Sequence, residues 1–182
     1  MSDEIRKWEK HASRVVSDHR IFKIREDHTT NPRTGSEHEM VVLECPDWVN
    51  IIALTPEREV VFVEQYRQGS ETVELEIPGG MMDPGETDPV ATALRELREE
   101  TGYTGEKARV IGACFANPAI MNNRVHTILE ENCQRTHEVE WDAGEDLITR
   151  LIPEADLPHL IREGRIRHSI IVAALQYFAL TK

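Results

Sequence analysis

The sequence is poor in the features that mark secreted, membrane-spanning and metal-thiolate proteins. Aromatic residues make up 5% of the 182 residues, and the cysteines number three: Cys45, Cys114 and Cys133. An odd number of cysteines without metal-ligand spacing favours reduced thiols and a cytoplasmic protein. The amino terminus lacks the apolar core of a signal peptide, and no apolar run is long enough to span a bilayer, so we expect no membrane partner.

Positive charge is also scarce. Lys and Arg number 21 against 33 Asp and Glu, which gives a formal net charge of −12. Proteins that bind nucleic acid normally carry basic patches, so this charge argues against nucleic acid as a standing partner. A small diphosphate that arrives with magnesium is compatible with this charge. The length and the 40% apolar content suit one well-buried globular domain.

Acidic residues are concentrated in a predicted helix near the middle of the chain. Glu96, Glu99 and Glu100 fall within one helical sector, because successive residues are rotated by about 100°. A separate apolar stripe, which we expect to face the core, consists of Val90, Leu94, Leu97 and Thr101. Clustered carboxylates without neighbouring His or Cys favour Mg²⁺ or Mn²⁺. A solvated acidic face is the alternative interpretation.

The residues around this helix predict where it begins and ends. Asp88 can cap it, Pro89 suits its first turn, and Gly102 can end it. Two glycines and a short turn-forming segment precede it, so that backbone groups there can approach a ligand closely. These capping and turn-forming residues favour a metal site over a solvated helix.

The same stretch resembles the signature of the Nudix hydrolases, which split a nucleoside diphosphate linked to another group. Gly80 and Glu86 match the opening of the signature, and residues 95–103 match its close. Eight residues separate Glu86 from Arg95, whereas the family pattern has seven. The extra residue is expected in the turn before the helix, which leaves the helical glutamates in their usual relation.

The resemblance implies an α/β (α+β) fold, an α/β/α sandwich with a mixed β-sheet between helices. It also implies that Mg²⁺ or Mn²⁺ is held by the Gly79 carbonyl, Glu96, Glu99 and Glu100. Arg95 is then expected to support the acidic cluster, as part of the catalytic machinery with Glu99. Gly80 is expected beside the substrate.

The first 36 residues are predicted to form a strand-rich extension, followed by the hydrolase domain at 37–182. Short apolar runs around a turn-forming segment at 28–38 indicate strands. In the ADP-ribose pyrophosphatase branch of the family, such a segment helps to form a homodimer, and the resemblance implies the same here. A lid or an edge hairpin is the alternative.

Three apolar runs between 39 and 67 predict strands covered on both faces. The last ends in Gln65-Tyr66-Arg67, which resembles the place where ADP-ribose-type enzymes hold the diphosphate with an Arg. The planar guanidinium suits that task, and a surface ion pair is the alternative. Glu76 resembles an acid that faces the substrate, although a polar sheet face would explain it equally well. Pro118 lies where the family marks ADP-ribose pyrophosphatases.

The acidic segment 137–146 resembles the loop that carries the general base in these enzymes. Glu145 is the first candidate and Asp142 the second. Beyond it we expect a strand at 147–152 and helices at 157–163 and 166–180. The apolar stripe of the last helix should cover the sheet on the side opposite the acidic helix.

These resemblances imply Mg-dependent hydrolysis of the diphosphate bond of a nucleotide sugar. ADP-ribose is the favoured substrate, with AMP and ribose 5-phosphate as products. The alternatives are another nucleoside diphosphate sugar such as ADP-glucose or GDP-mannose, another Nudix substrate, and a non-catalytic ADP-ribose sensor.

Overall fold

The computed structural model describes residues 4–141 and 143–181. Within these ranges the strands are β1 (Glu9–Asp18), β2 (Lys23–Thr30), β3 (Glu37–Glu44), β4 (Trp48–Leu54), β5 (Glu59–Arg67), β6 (Thr72–Glu76), β7 (Gly79–Met81), β8 (Tyr103–Phe115), β9 (Arg124–Arg135) and β10 (Leu147–Pro153). The α-helices are α1 (Pro89–Thr101), α2 (Leu157–Arg162) and α3 (Ser169–Ala179), and a 3₁₀ turn spans Glu154–Asp156. None of these helices is both long enough and apolar enough to cross a membrane.

The chain divides into two compact units. The first comprises Met1–Pro46 and Phe115–Asn123, and the second comprises Asp47–Cys114 and Arg124–Lys182. The predicted division at 36/37 is a different boundary, and it stays a prediction about how the chain is organised.

The first unit contains an antiparallel sheet in the order β1-β2-β3. The predicted turn between β2 and β3 is confirmed, because Gly35 has a φ of 73° and donates its N–H to the Asn31 carbonyl. The expectation that the apolar run in β3 is covered on both faces is wrong for this unit. Met40 and Val41 are 44% and 52% exposed, because the first unit contains no described helix that could cover a face of its sheet.

The second unit contains the larger sheet, in the order β10-β5-β4-β9-β8, with β6 paired to β5 and β7 paired to β4. β4 and β9 are parallel, with Ile51 opposite Ile128, whereas β5 and β10 are antiparallel. A mixed sheet of this kind confirms the predicted fold class.

Alternate residues of β4 contact different helices, because successive side chains of a strand point to opposite faces. Ile51 belongs to the buried cluster that contains Ala93 and Leu97 of α1. Ile52 belongs to the cluster that contains Leu175 and other residues of α3. The two helices therefore cover opposite faces of the sheet, as the sequence predicted. A fully buried Leu of this kind contributes about 1.5–3 kcal/mol to stability.

The predicted ends of α1 are confirmed. The Asp88 side chain accepts a hydrogen bond from the Val90 N–H at 2.9 Å, and Pro89 occupies the first position of the helix. Gly102 has a φ of 76° and donates its N–H to the Arg98 carbonyl at 2.8 Å. A left-handed residue at this place favours glycine, because a side chain would meet its own backbone.

The start of α3 differs from the prediction. The helix begins at Ser169 rather than at 166, because Ile166 is buried in the core cluster and the chain reaches the helix in an extended conformation at His168. Arg167 and His168 consequently lie ahead of the helix. This places both beside the cavity described next.

Candidate functional site

A cavity of about 1050 Å³ opens in the second unit. Its walls come from the ends of β4, β5 and β6, the β7 segment, one side of α1, the loop before β10 and the start of α3. The residues that line the cavity therefore range from 48 to 171, and most of them are distant from one another in sequence.

Gly79 and Gly80 bring the backbone of β7 against two carboxylates of α1. The Gly79 N–H donates a hydrogen bond to Glu100 Oε2 at 3.2 Å. A Cβ added at Gly80 would lie 2.7 Å from the Glu96 carboxyl carbon. Glycine at 80 is thus what allows the Glu96 carboxylate to occupy its place.

Glu100 is 4% exposed although it belongs to the predicted acidic face. Burial, and next the negative charge of Glu96, raise the pKa of Glu100 to about 8, and the charge of Glu145 adds to this rise. Burial also raises the pKa of Glu96, with further contributions from Glu99 and Glu145. Carboxylates packed in this way are stabilised by a proton or by a cation between them.

Arg95 links several of the acids on α1. Its guanidinium lies 2.9 Å from Glu96 and 3.0 Å from Glu99, and Nε lies 3.6 Å from Glu86. Burial alone would lower the pKa of Arg95, but Glu96, Glu99 and Glu86 together raise it. The supporting role of Arg95 stays a prediction, for which these ion pairs supply the contacts.

Glu99 lies on the same helix but makes different contacts. It accepts hydrogen bonds from Arg95 and Arg98, whereas Glu96 and Glu100 line the cavity. Among the residues described, no three His, Cys, Asp or Glu side chains are arranged as a ready-made metal cage. The charge and the donor set nevertheless fit a hard divalent cation, since Glu100 is buried and the negative charges of Glu96 and Glu145 lie near enough to raise its pKa. The assignment of Glu99 as a ligand stays a prediction.

Of the two candidate bases, Glu145 lines the cavity and is half-buried. Its charge contributes to the raised pKa of both Glu96 and Glu100, which places it close to them. Asp142 lies outside the described residues.

On another wall, Arg67 forms an ion pair with Glu76. The guanidinium donates to the carboxylate at 2.5 Å through Nη2 and at 3.2 Å through Nε. Glu76 is 1% exposed, and burial would raise its pKa, but hydrogen bonds from His168 and Arg67 outweigh burial and lower it. Arg67 itself lines the cavity, with its side chain 43% exposed, so its remaining donors can reach a ligand.

Among the cavity residues that sequence reasoning missed is a basic pair, Arg167 and His168. Arg167 donates to the Glu74 carboxylate at 2.9 Å, and His168 Nδ1 lies 2.7 Å from Glu76 Oε1. Both were placed inside the predicted last helix. The only available signal was a basic pair directly before an apolar helix.

Pro118 lies in the turn between β8 and β9, in the first unit. Its predicted role at the substrate stays a prediction.

The chain is similar to known proteins over most of its length. The NUDIX domain family model matches residues 44–175. The chain is 34% identical to the methanol dehydrogenase activator of Bacillus methanolicus over 88% of this chain and 86% of that one. It is 32% identical to the ADP-ribose pyrophosphatase of Bacillus subtilis over 80% and 79% of the two chains.

A solved structure, the crystal structure of ADP compounds hydrolase, has the same fold. It superposes with a TM-score of 0.85 at 20% identity and covers 98% of this chain and 96% of its own. The family model matches most of the chain, and the acidic helix contacts two consecutive glycines, Gly79 and Gly80. The protein therefore belongs to the Nudix hydrolase family.

Proposed function

We propose that the protein hydrolyses the diphosphate bond of a nucleoside diphosphate sugar, with Mg²⁺ as the metal and ADP-ribose as the favoured substrate. The products would be AMP and ribose 5-phosphate. The observation that carries the proposal is a single cavity that joins the carboxylates of Glu96, Glu100 and Glu145 to the guanidinium of Arg67. The name of the Bacillus subtilis relative supports the choice of ADP-ribose.

The acidic wall is suited to a divalent cation. The Gly79 carbonyl, Glu96, Glu99 and Glu100 would hold Mg²⁺ or Mn²⁺, because hard cations prefer oxygen ligands. When bound, such ions neutralise a diphosphate and lower the pKa of a water molecule. Arg95 keeps Glu96 and Glu99 in place through its two ion pairs.

The remaining residues position the substrate and move a proton. Arg67 can hold the diphosphate with its planar set of donors while Glu76 fixes its orientation. Glu145 would accept the proton of the attacking water, because it lies near the acidic pair and lines the cavity. Asp142 is the second candidate for this role.

The test is a hydrolysis panel in which the products are identified. The purified protein is assayed with Mg²⁺ against ADP-ribose, ADP-glucose, GDP-mannose, coenzyme A, diadenosine polyphosphates and 8-oxo-dGTP. We expect AMP and ribose 5-phosphate from ADP-ribose at the highest kcat/KM. A preference for ADP-glucose or GDP-mannose would move the substrate within the class, whereas a preference for coenzyme A or a triphosphate would reject the class. Binding of ADP-ribose without turnover would indicate a sensor.

We further propose that residues 1–36 help to form a homodimer and that the protein works in the cytoplasm. The three-stranded sheet of the first unit exposes apolar side chains, among them Val15, Val16 and Val41, and exposed apolar patches commonly mark interfaces. The free thiols of the three cysteines agree with a reducing compartment. Light scattering of the wild type and of a Val15→Asp, Val16→Asp variant tests the dimer. A wild-type mass of one chain would reject it.

A further inference from the structure

The structure places a histidine beside the proposed diphosphate-binding arginine. Glu76 is almost fully buried, and its carboxylate is shared by two partners. The Arg67 guanidinium donates to Oε2 at 2.5 Å and more weakly to Oε1 at 3.3 Å, and Oε1 lies 2.7 Å from Nδ1 of His168. The imidazole and the guanidinium therefore lie on either side of one carboxyl group.

The buried carboxylate decides which hydrogen-bonding group His168 can offer to a ligand. An ionised carboxylate only accepts hydrogen bonds, so Nδ1 must carry the hydrogen that joins the ring to Glu76. In the neutral ring, Nε2 then has a lone pair and acts as an acceptor. The tautomer is set by Glu76 in the way that a carboxylate sets it for many functional histidines.

His168 is accessible from the same cavity as the proposed reaction centre. Its side chain is 34% exposed, and it lines the cavity together with Arg67, Glu96 and Glu100. The positive charge of Arg67 opposes the rise in the pKa of Glu100, so Arg67 lies near the acidic wall, and it shares the Glu76 carboxylate with His168. A group bound by His168 would consequently adjoin the diphosphate.

Because Nε2 of the neutral His168 ring is an acceptor, the ligand group that it binds must be a hydrogen-bond donor. The oxygens of a diphosphate are acceptors at neutral pH and do not pair with a neutral Nε2. Hydroxyl groups are donors, and in a nucleotide sugar the hydroxyls nearest the diphosphate are those of the attached sugars. The exocyclic amine of a base is further away along the ligand.

We propose that His168 is a substrate-binding residue whose Nε2 accepts a hydrogen bond from a sugar hydroxyl next to the diphosphate. This inference rests on the proposed function. A purely structural role, in which His168 serves only to satisfy Glu76, is the competing explanation.

The variant His168→Asn separates these two roles. The Asn amide can donate to Glu76 from about the position of Nδ1, but it has no atom at the position of Nε2. The variant is compared with the wild type on the nucleotide sugar that the wild type cleaves best. The same comparison is then made with two analogues of that substrate. In one of them a methyl group replaces the terminal sugar, and the other has a dideoxy nucleoside. His159→Asn is the matched control, since His159 of α2 is exposed and pairs with Glu163, which follows the helix.

We expect His168→Asn to raise KM for the full substrate by about fivefold or more, with kcat changed much less, because one ground-state hydrogen bond is lost. The penalty should disappear with whichever analogue lacks the hydroxyl concerned. An equal loss for the substrate and both analogues, or no loss at all, overturns the inference.

The melting temperature of the variant is recorded in parallel, and it should stay close to that of the wild type. Where Asn fails to fold, His168→Ala is measured in its place, and the disappearance of the KM penalty with one of the two analogues remains the deciding result. A wild type that cleaves no nucleotide sugar overturns the proposed function and this inference together. A wild type that cleaves one, with a variant of unchanged KM, overturns this inference alone.

Discussion

The carboxylate of Glu96 lies directly against Gly80, so that a Cβ at position 80 would stand 2.7 Å from the carboxyl carbon. That atom belongs to the end of a flexible side chain, and the backbone of Gly80 needs no left-handed conformation. Gly80→Ala should therefore fold, but it should displace Glu96. We expect kcat to fall by about a hundredfold, since small misplacements of functional groups cost this much.

The matched control for this variant is Gly69→Ala. Gly69 also lines the cavity, but a Cβ there meets nothing within 4 Å. Steady-state kinetics should show a rate close to that of the wild type for the control. Equal kcat values for Gly80→Ala and Gly69→Ala would show that the reaction does not depend on the position of Glu96.

Glu100→Gln tests the proposed metal site by stability as well as by activity. The substitution removes a carboxylate whose burial and charged neighbours disfavour ionisation. The wild type should gain about 2.7 kcal/mol of stability at a metal concentration one hundred times the Kd. The variant should gain much less, and its kcat should fall by about a hundredfold or more.

Melting curves with and without Mg²⁺ measure this effect. Glu138→Gln is the control, because the Glu138 side chain is 96% exposed and pairs with Arg135. An equal magnesium-dependent shift in Glu100→Gln and the wild type would contradict the metal assignment.

Arg67→Lys keeps the positive charge near Glu76 but removes the planar pair of donors. A hydrogen bond to a charged group is worth about 1.5–3 kcal/mol, so kcat/KM should fall by about ten- to a hundredfold. Complete removal by Arg67→Ala should in addition destabilise the fold by about 1–3 kcal/mol, because the buried Glu76 carboxylate loses the Arg67 hydrogen bonds and keeps the one with His168. Kinetics and urea unfolding separate the two effects, and an unchanged kcat/KM in Arg67→Lys would exclude a bidentate grip.

Glu145→Gln tests the general base. Loss of a positioned base lowers kcat by about 10²–10⁴-fold. The neighbouring Asp146 is exposed, and Asp146→Asn is the control. A rate in Glu145→Gln equal to that of the control would shift the role to Asp142, which Asp142→Asn then tests.

Acid should weaken the pair formed by Glu74 and Arg167. Hydrogen bonds from Arg167 and Thr72 lower the pKa of Glu74 to about 2, against about 4.3 in an unfolded chain. A lowered folded pKa stabilises the protein above the unfolded pKa, and this contribution is lost as the pH falls from about 4.3 towards 2. The stability difference between the wild type and Glu74→Gln should therefore shrink across this range.

Urea unfolding at several pH values measures that difference. The control is Glu57→Gln, in the exposed turn between β4 and β5, which should show no comparable change. A difference that stays constant down to pH 2 would contradict an ionic role for Glu74.

The parts of the site that were predicted from sequence are those that depend on local spacing. The caps at Asp88 and Gly102 act on neighbouring residues, and the separation of the acidic sector from the apolar stripe follows from helical rotation alone. The signature residues around Gly80 and Glu96 lie close in sequence and on one element or its entry. For the same reason the two faces of the sheet could be assigned from the apolar stripes of α1 and α3.

Burial within the acidic sector could not be read from the helix. Periodicity puts Glu99 and Glu100 in one sector, yet Glu99 pairs with Arg95 and Arg98 whereas Glu100 is nearly inaccessible. This difference depends on β7, whose backbone covers Glu100 from a separate segment.

The sequence by itself determined the Nudix signature and the capped helix that carries its glutamates, because both rest on interactions between residues within a few positions. Only the tertiary structure decided that Glu76 joins Arg67 to His168 and that Glu74 meets Arg167. His168 lies 92 residues beyond Glu76, and Arg167 lies 93 residues beyond Glu74. They meet because β6 pairs with β5 and the start of α3 packs against that edge, a relation that no local pattern specifies.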